Sequence, residues 1–153
     1  MRAAVAPAAI LVALVAGAAP AGATATLSCE VDDKAVKLDV QASVAHGMGE
    51  ALSGFRGEIG VRLKGAPADF GTLVLEPEHL THSWINGREV RLRLYRERGE
   101  GAHGAVELVL ETRAAGGDTS FVGRYVLTVD HLRPGASEVA TLKAQGRATC
   151  SLG

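Results

Sequence analysis

Aromatic residues are scarce in this chain: three Phe, two Tyr and one Trp make up 4% of its 153 residues. A core drawn from such a composition has to be filled by Val, Leu and Ala, with the 19 glycines placed at turns and bulges. An excess of one charge sign is missing as well. Sixteen Lys and Arg face 17 Asp and Glu, for a formal net charge of -1. That balance gives no footing for a nucleic-acid partner, which calls for a basic excess, or for polybasic attachment to a membrane surface. There is no Gly-x-Ser-x-Gly elbow for a nucleophilic serine and no Cys-x-x-Cys spacing for a redox catalyst. Outside the first 23 residues there is no apolar pattern of 3.6-residue period, so helices are not expected.

What the N-terminus holds is a leader. Arg2 is a short positive region, Val5 to Val15 form an Ala-rich apolar stretch interrupted only by Pro7, and Pro20-Ala21-Gly22-Ala23 offers a small-x-small cleavage site, with Ala23-Thr24-Ala25 as a second option. This is the pattern of a secretory signal peptide over residues 1–23. The apolar stretch is shorter than the ~20 residues that cross a bilayer, so no transmembrane anchor is expected in the mature form. A lipidated Cys29 is disfavoured, because Thr26-Leu27-Ser28 is a poor lipobox and Cys150 would lose its partner. Residues 24–153 then form a single β domain of roughly 130 residues, exported to the periplasm or the extracellular space, which the sequence does not separate. Export permits oxidation, and the only two cysteines, Cys29 and Cys150, are expected to form a disulfide. Their Cα atoms must then lie about 4.4–6.8 Å apart, which brings the first and last strands together.

Between the cysteines the chain alternates. Leu27, Cys29 and Val31 share one face of a first strand, and Val36, Leu38, Val40 and Val44 share one face of a second. Phe55, Gly57, Ile59, Val61 and Leu63 form a third, where Gly54, Gly57 and Gly60 suggest a bend or bulge. Thr72–Glu76 is a short strand ended by Pro77. Further runs follow at Leu80–Ile85, Arg88–Arg98, Val106–Glu111, Phe121–Val129 and Val139–Cys150, separated by short turns. The expected fold is all-β, a single antiparallel β-barrel or β-sandwich of about eight or nine strands in largely meander order. Barrel and sandwich alternate alike, so both stay open. In the last strand the phase of Cys150 carries Leu142 and then Ala144, Gly146 and Ala148, the last three being small residues that signal either a close neighbouring strand or room for a ligand.

The sharpest local signal is Trp84-Ile85-Asn86-Gly87-Arg88-Glu89-Val90-Arg91-Leu92-Arg93-Leu94-Tyr95. Asn-Gly between alternating runs marks a hairpin with a type I′ turn. A loop of Asn86 and Gly87 pairs Ile85 with Arg88, Trp84 with Glu89, His82 with Arg91 and Leu80 with Arg93. Trp84, His82, Arg91, Arg93 and Tyr95, with Leu80, then share one face. Trp, Tyr and Arg are the side chains that most often carry binding energy, which makes this face the candidate binding site. Glu107 and Glu111 on the wet side of the next strand offer a competing role for Arg91 and Arg93, a cross-strand ladder of ion pairs.

Other patterns promise less. Gly99 to Gly104 matches G-x-G-x-x-G, but a strand follows it where a dinucleotide site needs a helix. His79 and His82 are three residues apart, which in a strand sends them to opposite faces, an objection that weakens if His79 sits in the turn after Pro77; nothing places Glu78, His103 or His131 beside them, so no metal site is expected. Glu76 and Glu78, Asp118-Thr119-Ser120 and Asp130-His131 hold suitable atoms for catalysis without a specifying pattern. No catalytic residue and no cofactor is therefore assigned. The expected function is an exported, non-catalytic binding protein whose partner, not identified by the sequence, is a small apolar ligand or an envelope protein. The alternative is a metal-dependent or hydrolytic enzyme using the loop His and Glu residues.

Overall fold

The structure, a computed structural model, describes residues 24–45 and 51–153. The leader assigned to residues 1–23 and the loop His46–Glu50 lie outside the described residues. Nine strands follow in order: β1 Thr24–Asp32, β2 Val36–Ala45, β3 Leu52–Val61, β4 Leu73–Leu75, β5 Leu80–Asn86, β6 Glu89–Glu97, β7 Gly104–Ala114, β8 Ser120–Leu132 and β9 Val139–Leu152. Two 3-10 turns, Ala68–Phe70 and Pro77–His79, flank β4.

The strands form because their apolar residues recur every second position. In β2, Val36, Leu38, Val40, Ala42 and Val44 are buried while the residues between them are exposed. Every strand but β5, which has no fully buried residue, thus turns buried residues inward, and these faces meet. They belong to one antiparallel sheet in the order β4-β3-β2-β1-β9-β8-β7-β6-β5. Every ladder joins consecutive strands except β1–β9, which rolls the sheet into a nearly closed barrel. Of the two architectures left open by the alternation, the barrel is the one formed. The bulge expected in the third strand is present: Gly54 and Phe55 of β3 stand opposite Ala42 of β2, where the register slips.

The closing ladder is short, running from Leu27 opposite Leu152 to Glu30 opposite Thr149. Cys29 and Cys150 face each other in its middle, both buried and joined by a disulfide, with Cα atoms 4.0 Å apart, closer than the about 4.4–6.8 Å expected. The chain-entropy estimate for a loop of this size, with a sequence separation of 121, is about 4–5 kcal/mol. Beyond Glu30 the strands diverge, and Asp33 spans the gap. Its carboxylate accepts hydrogen bonds from Ala35 N at 2.7 Å, Val36 N at 3.0 Å and Tyr125 Oη at 2.6 Å. Gly146 explains the small residues of β9 at this level. A Cβ there would stand 2.6 Å from Asp33 Oδ2 and 2.7 Å from Tyr125 Cε1, so the space beside the backbone belongs to the tyrosine.

One mouth of the barrel is plugged. The loop after β3 carries Phe70, which is buried, and Arg98 at the end of β6 locks it in place. The guanidinium lies 4.9 Å above the Phe70 ring, donates to Asp69 Oδ2 at 2.7 Å and Oδ1 at 2.9 Å, and also donates to the Ala102 carbonyl at 2.7 Å. At the opposite seam Ile59 and Leu75 meet Leu94, Val106 and Leu108, and the space between them admits no water molecule. The second 3-10 turn touches β3 and β6 there, while β5 flares away from the barrel.

Candidate functional site

The hairpin of β5 and β6 builds the candidate face, and its register corrects the expected one. Asn86 pairs with Glu89, Ile85 with Val90, Trp84 with Arg91 and His82 with Arg93. The turn residues are Gly87 and Arg88, not Asn86 and Gly87, and Gly87 takes the positive φ of 30° that the first central position requires. The shift places Ile85 against buried Val90, whereas the Asn-Gly loop would have set it against Arg88. Apolar matching has outweighed turn preference. Partners along the ladder move by two residues, so Trp84, His82, Arg91, Arg93 and Tyr95 keep a common outer face. Leu80 leaves it. Thr81 is an extra residue in the β5 ladder, its Oγ1 donating to the Arg93 carbonyl at 3.1 Å, and Leu80 turns inward opposite Leu94, packed against the core.

Across the sheet the outer residues line up in rows. Trp84, Arg91, Glu111, Arg124 and Arg147 form one row across β5 to β9. His82, Arg93, Val109, Val126 and Gln145 form the next. The anticipated Arg–Glu ladder is present with partly different partners. Arg93 binds Glu107 through Nε at 3.0 Å and Nη2 at 2.5 Å. Arg91 turns to Glu89 on its own strand, at 2.8 Å, instead of to Glu111. Glu111 instead takes Arg124, at 2.8 Å and 3.0 Å. That bond, followed by the charges of Arg91 and Arg113, holds the Glu111 carboxyl below its ordinary pKa despite some desolvation. Tyr95 Oη donates to Glu97 at 2.5 Å, and this bond, ahead of desolvation and nearby carboxylates, raises the phenol pKa. These exposed pairs contribute little stability. They set Arg91, Arg93 and Tyr95 each against a carboxylate on the outer face.

Trp84 stands at the border of this lattice, 55% exposed, the most exposed large apolar side chain among the described residues. Two shallow recesses share Arg91 and Glu111. One, of about 320 Å³, is lined by His82, Arg91, Leu92, Arg93, Val109 and Glu111. The other, of about 350 Å³, reaches Arg113, Val122 and Arg124.

The weaker catalytic and metal candidates are scattered. His79 sits in the second 3-10 turn, its Nδ1 accepting from Glu76 N at 2.9 Å, and His82 is exposed on β5. His131 faces the interior while Asp130 faces outward and accepts from Thr141 Oγ1 at 2.5 Å, so the two cannot act as a pair. Among the described residues no three His, Cys, Asp or Glu side chains converge as metal ligands do. The Gly99–Gly104 motif is the β6–β7 hairpin loop, tied to Arg98, with β7 following directly. The Phe70–Arg98 plug and the Asp33–Tyr125 contact escaped the sequence. A lone aromatic in a Gly, Ala and Pro loop was the available sign of the first; the second joins residues 92 apart and left none. No helix among the described residues is long and apolar enough to cross a membrane. The chain matches no protein-family model, no curated protein and no solved structure.

Proposed function

We propose that this is an exported, non-catalytic binding protein that takes a protein partner of the cell envelope on the outer face around Trp84. The observation that carries it is the position of the only tryptophan: half out in solvent, beside arginines already held by carboxylates and next to a shallow recess. A large rigid ring ringed by ordered polar groups is the composition of an interface hot spot. A protein partner is preferred to a small apolar ligand because the interior positions are filled by Tyr125, Phe121, Phe70 and the aliphatic core, and the recesses on the outer face are open and shallow. A disulfide and the leader-like N-terminus support export.

The test compares immobilised protein with its Trp84→Ala and Arg93→Ala variants in capturing proteins from an envelope extract. All three should melt at nearly the same temperature, since the side chains are exposed, while both variants should lose about tenfold or more of the affinity for any partner that the parent retains. Equal capture by parent and variants would sink the proposal.

A further inference from the structure

Several backbone edges of the sheet are open among the described residues, and they are not alike. The stretch of β3 that runs past β4, Leu52–Arg56, is bent by the bulge at Gly54 and Phe55 and carries Arg56. β4 is three residues long and ends before Pro77. The half of β9 that runs past β1 carries Lys143 and Arg147, which would meet like charge in a copy of itself. Short strands, charged side chains and bulges are the usual guards against edge pairing. β5 is seven residues long and uncharged, and its one bulge, at Thr81, leaves His82–Asn86 regular. Leu80-Thr81-His82-Ser83-Trp84-Ile85-Asn86 contains no Lys, Arg, Asp, Glu, Gly or Pro, pairs on one side only, with β6, and is exposed along His82, Ser83 and Trp84.

We propose that β5 pairs antiparallel with β5 of a second copy of this chain across a two-fold axis at Ser83. Two-fold symmetry allows only self-matching registers. The one centred on Ser83 sets His82 of each copy against Trp84 of the other, twice, and Ser83 against Ser83. No like charges meet along the strand. At its ends charge complementarity appears. The turn carrying Arg88, which makes no ion pair among the described residues, reaches the level of the 3-10 turn that carries Glu78 in the other copy. With Thr81 bulged out of the count, inward-facing Ile85 of each copy stands opposite inward-facing Leu80 of the other, and two Arg88–Glu78 contacts flank the strand pair symmetrically. The two sheets become one, and the arginine rows of both copies continue across the junction. A strand edge with two flanking turns buries less than the ~1,200–2,000 Å² of a stable interface, so the dimer dissociates on dilution. This pairing stands independently of the envelope partner.

Sedimentation of the purified protein, disulfide intact, gives the first measurement: a reversible monomer–dimer equilibrium, weakened about tenfold or more by Arg88→Glu and restored when Glu78→Arg is added. Ser83→Cys gives the second. Directly opposed cysteines oxidise readily, so this variant should form covalent dimers, whereas Asn86→Cys, far from its own copy in this register, should not. Cross-linking no greater for Ser83→Cys than for Asn86→Cys, or a parent protein that stays monomeric up to about 1 mM, overturns the proposal. Loss of partner capture in Trp84→Ala with the dimer absent would leave the function of the preceding subsection in place, so the two fail separately.

Discussion

Asp33 does three things with one carboxylate. It caps the β1–β2 turn through Ala35 N and Val36 N and receives the buried Tyr125 hydroxyl. Desolvation alone would raise its pKa; the bond from Tyr125, the two backbone donors and the charge of Arg62 outweigh it and leave the group below its ordinary value. Tyr125 moves the other way, pushed up by burial first and by its donation to Asp33 second. A carboxyl whose folded pKa is depressed stabilises the fold above its unfolded value and loses that contribution as pH falls through the folded one. Tyr125→Phe should therefore cost about 1–3 kcal/mol at neutral pH and lessen the drop in stability on acidification below about pH 4. Urea unfolding of both proteins from pH 7 to pH 2 checks it, and parallel pH curves would contradict the assignment. Asp32-Asp33-Lys34 between two alternating runs reads as a turn from the residues alone, because acidic residues start turns. Its distant partner was not legible, since no local pattern encodes a contact 92 residues away.

Strands were the most legible level of this protein. The alternation in β2, β6 and β7 marks the buried face residue by residue, and the common face of Trp84, His82, Arg91, Arg93 and Tyr95 follows from it. Register was less legible, because Asn-Gly offers a turn and Ile85 against Val90 offers burial, and only the assembled core shows which prevails. The ion pairs were legible as a set but not pair by pair, since Arg91 has carboxylates within reach on its own strand and on the next. The outer face of the other half carries a different pattern. Glu30, Asp39 and Glu58 stand directly opposite one another across β1, β2 and β3, and none of them is in an ion pair among the described residues. Like charges in facing positions repel. Asp39→Lys, between the other two, should stabilise the protein by about 0.4–2 kcal/mol, at 0.2–1 kcal/mol for each new pair. The gain should shrink in 1 M salt, where exposed charges are screened. Thermal melts at low and high salt measure both effects.

At the scale of the whole molecule, the cysteines at the two extremities announced closure and the plug and seam complete it. Seven of the eight ladders join strands that are neighbours in the sequence and can form by local zipping, the longest connection being residues 62–72 between β3 and β4. The eighth, β1 on β9, brings together segments 121 residues apart and offers four residue pairs in return. Chain entropy makes that union the slowest to arrive. The two thiols are thus a built-in clock for the final step of folding. In a refolding experiment started from reduced chain, an alkylating reagent added at intervals should still label both cysteines after most β signal in circular dichroism has recovered, and labelling should then stop abruptly as the ring shuts. Protection of the thiols before the hairpins appear would reverse that order.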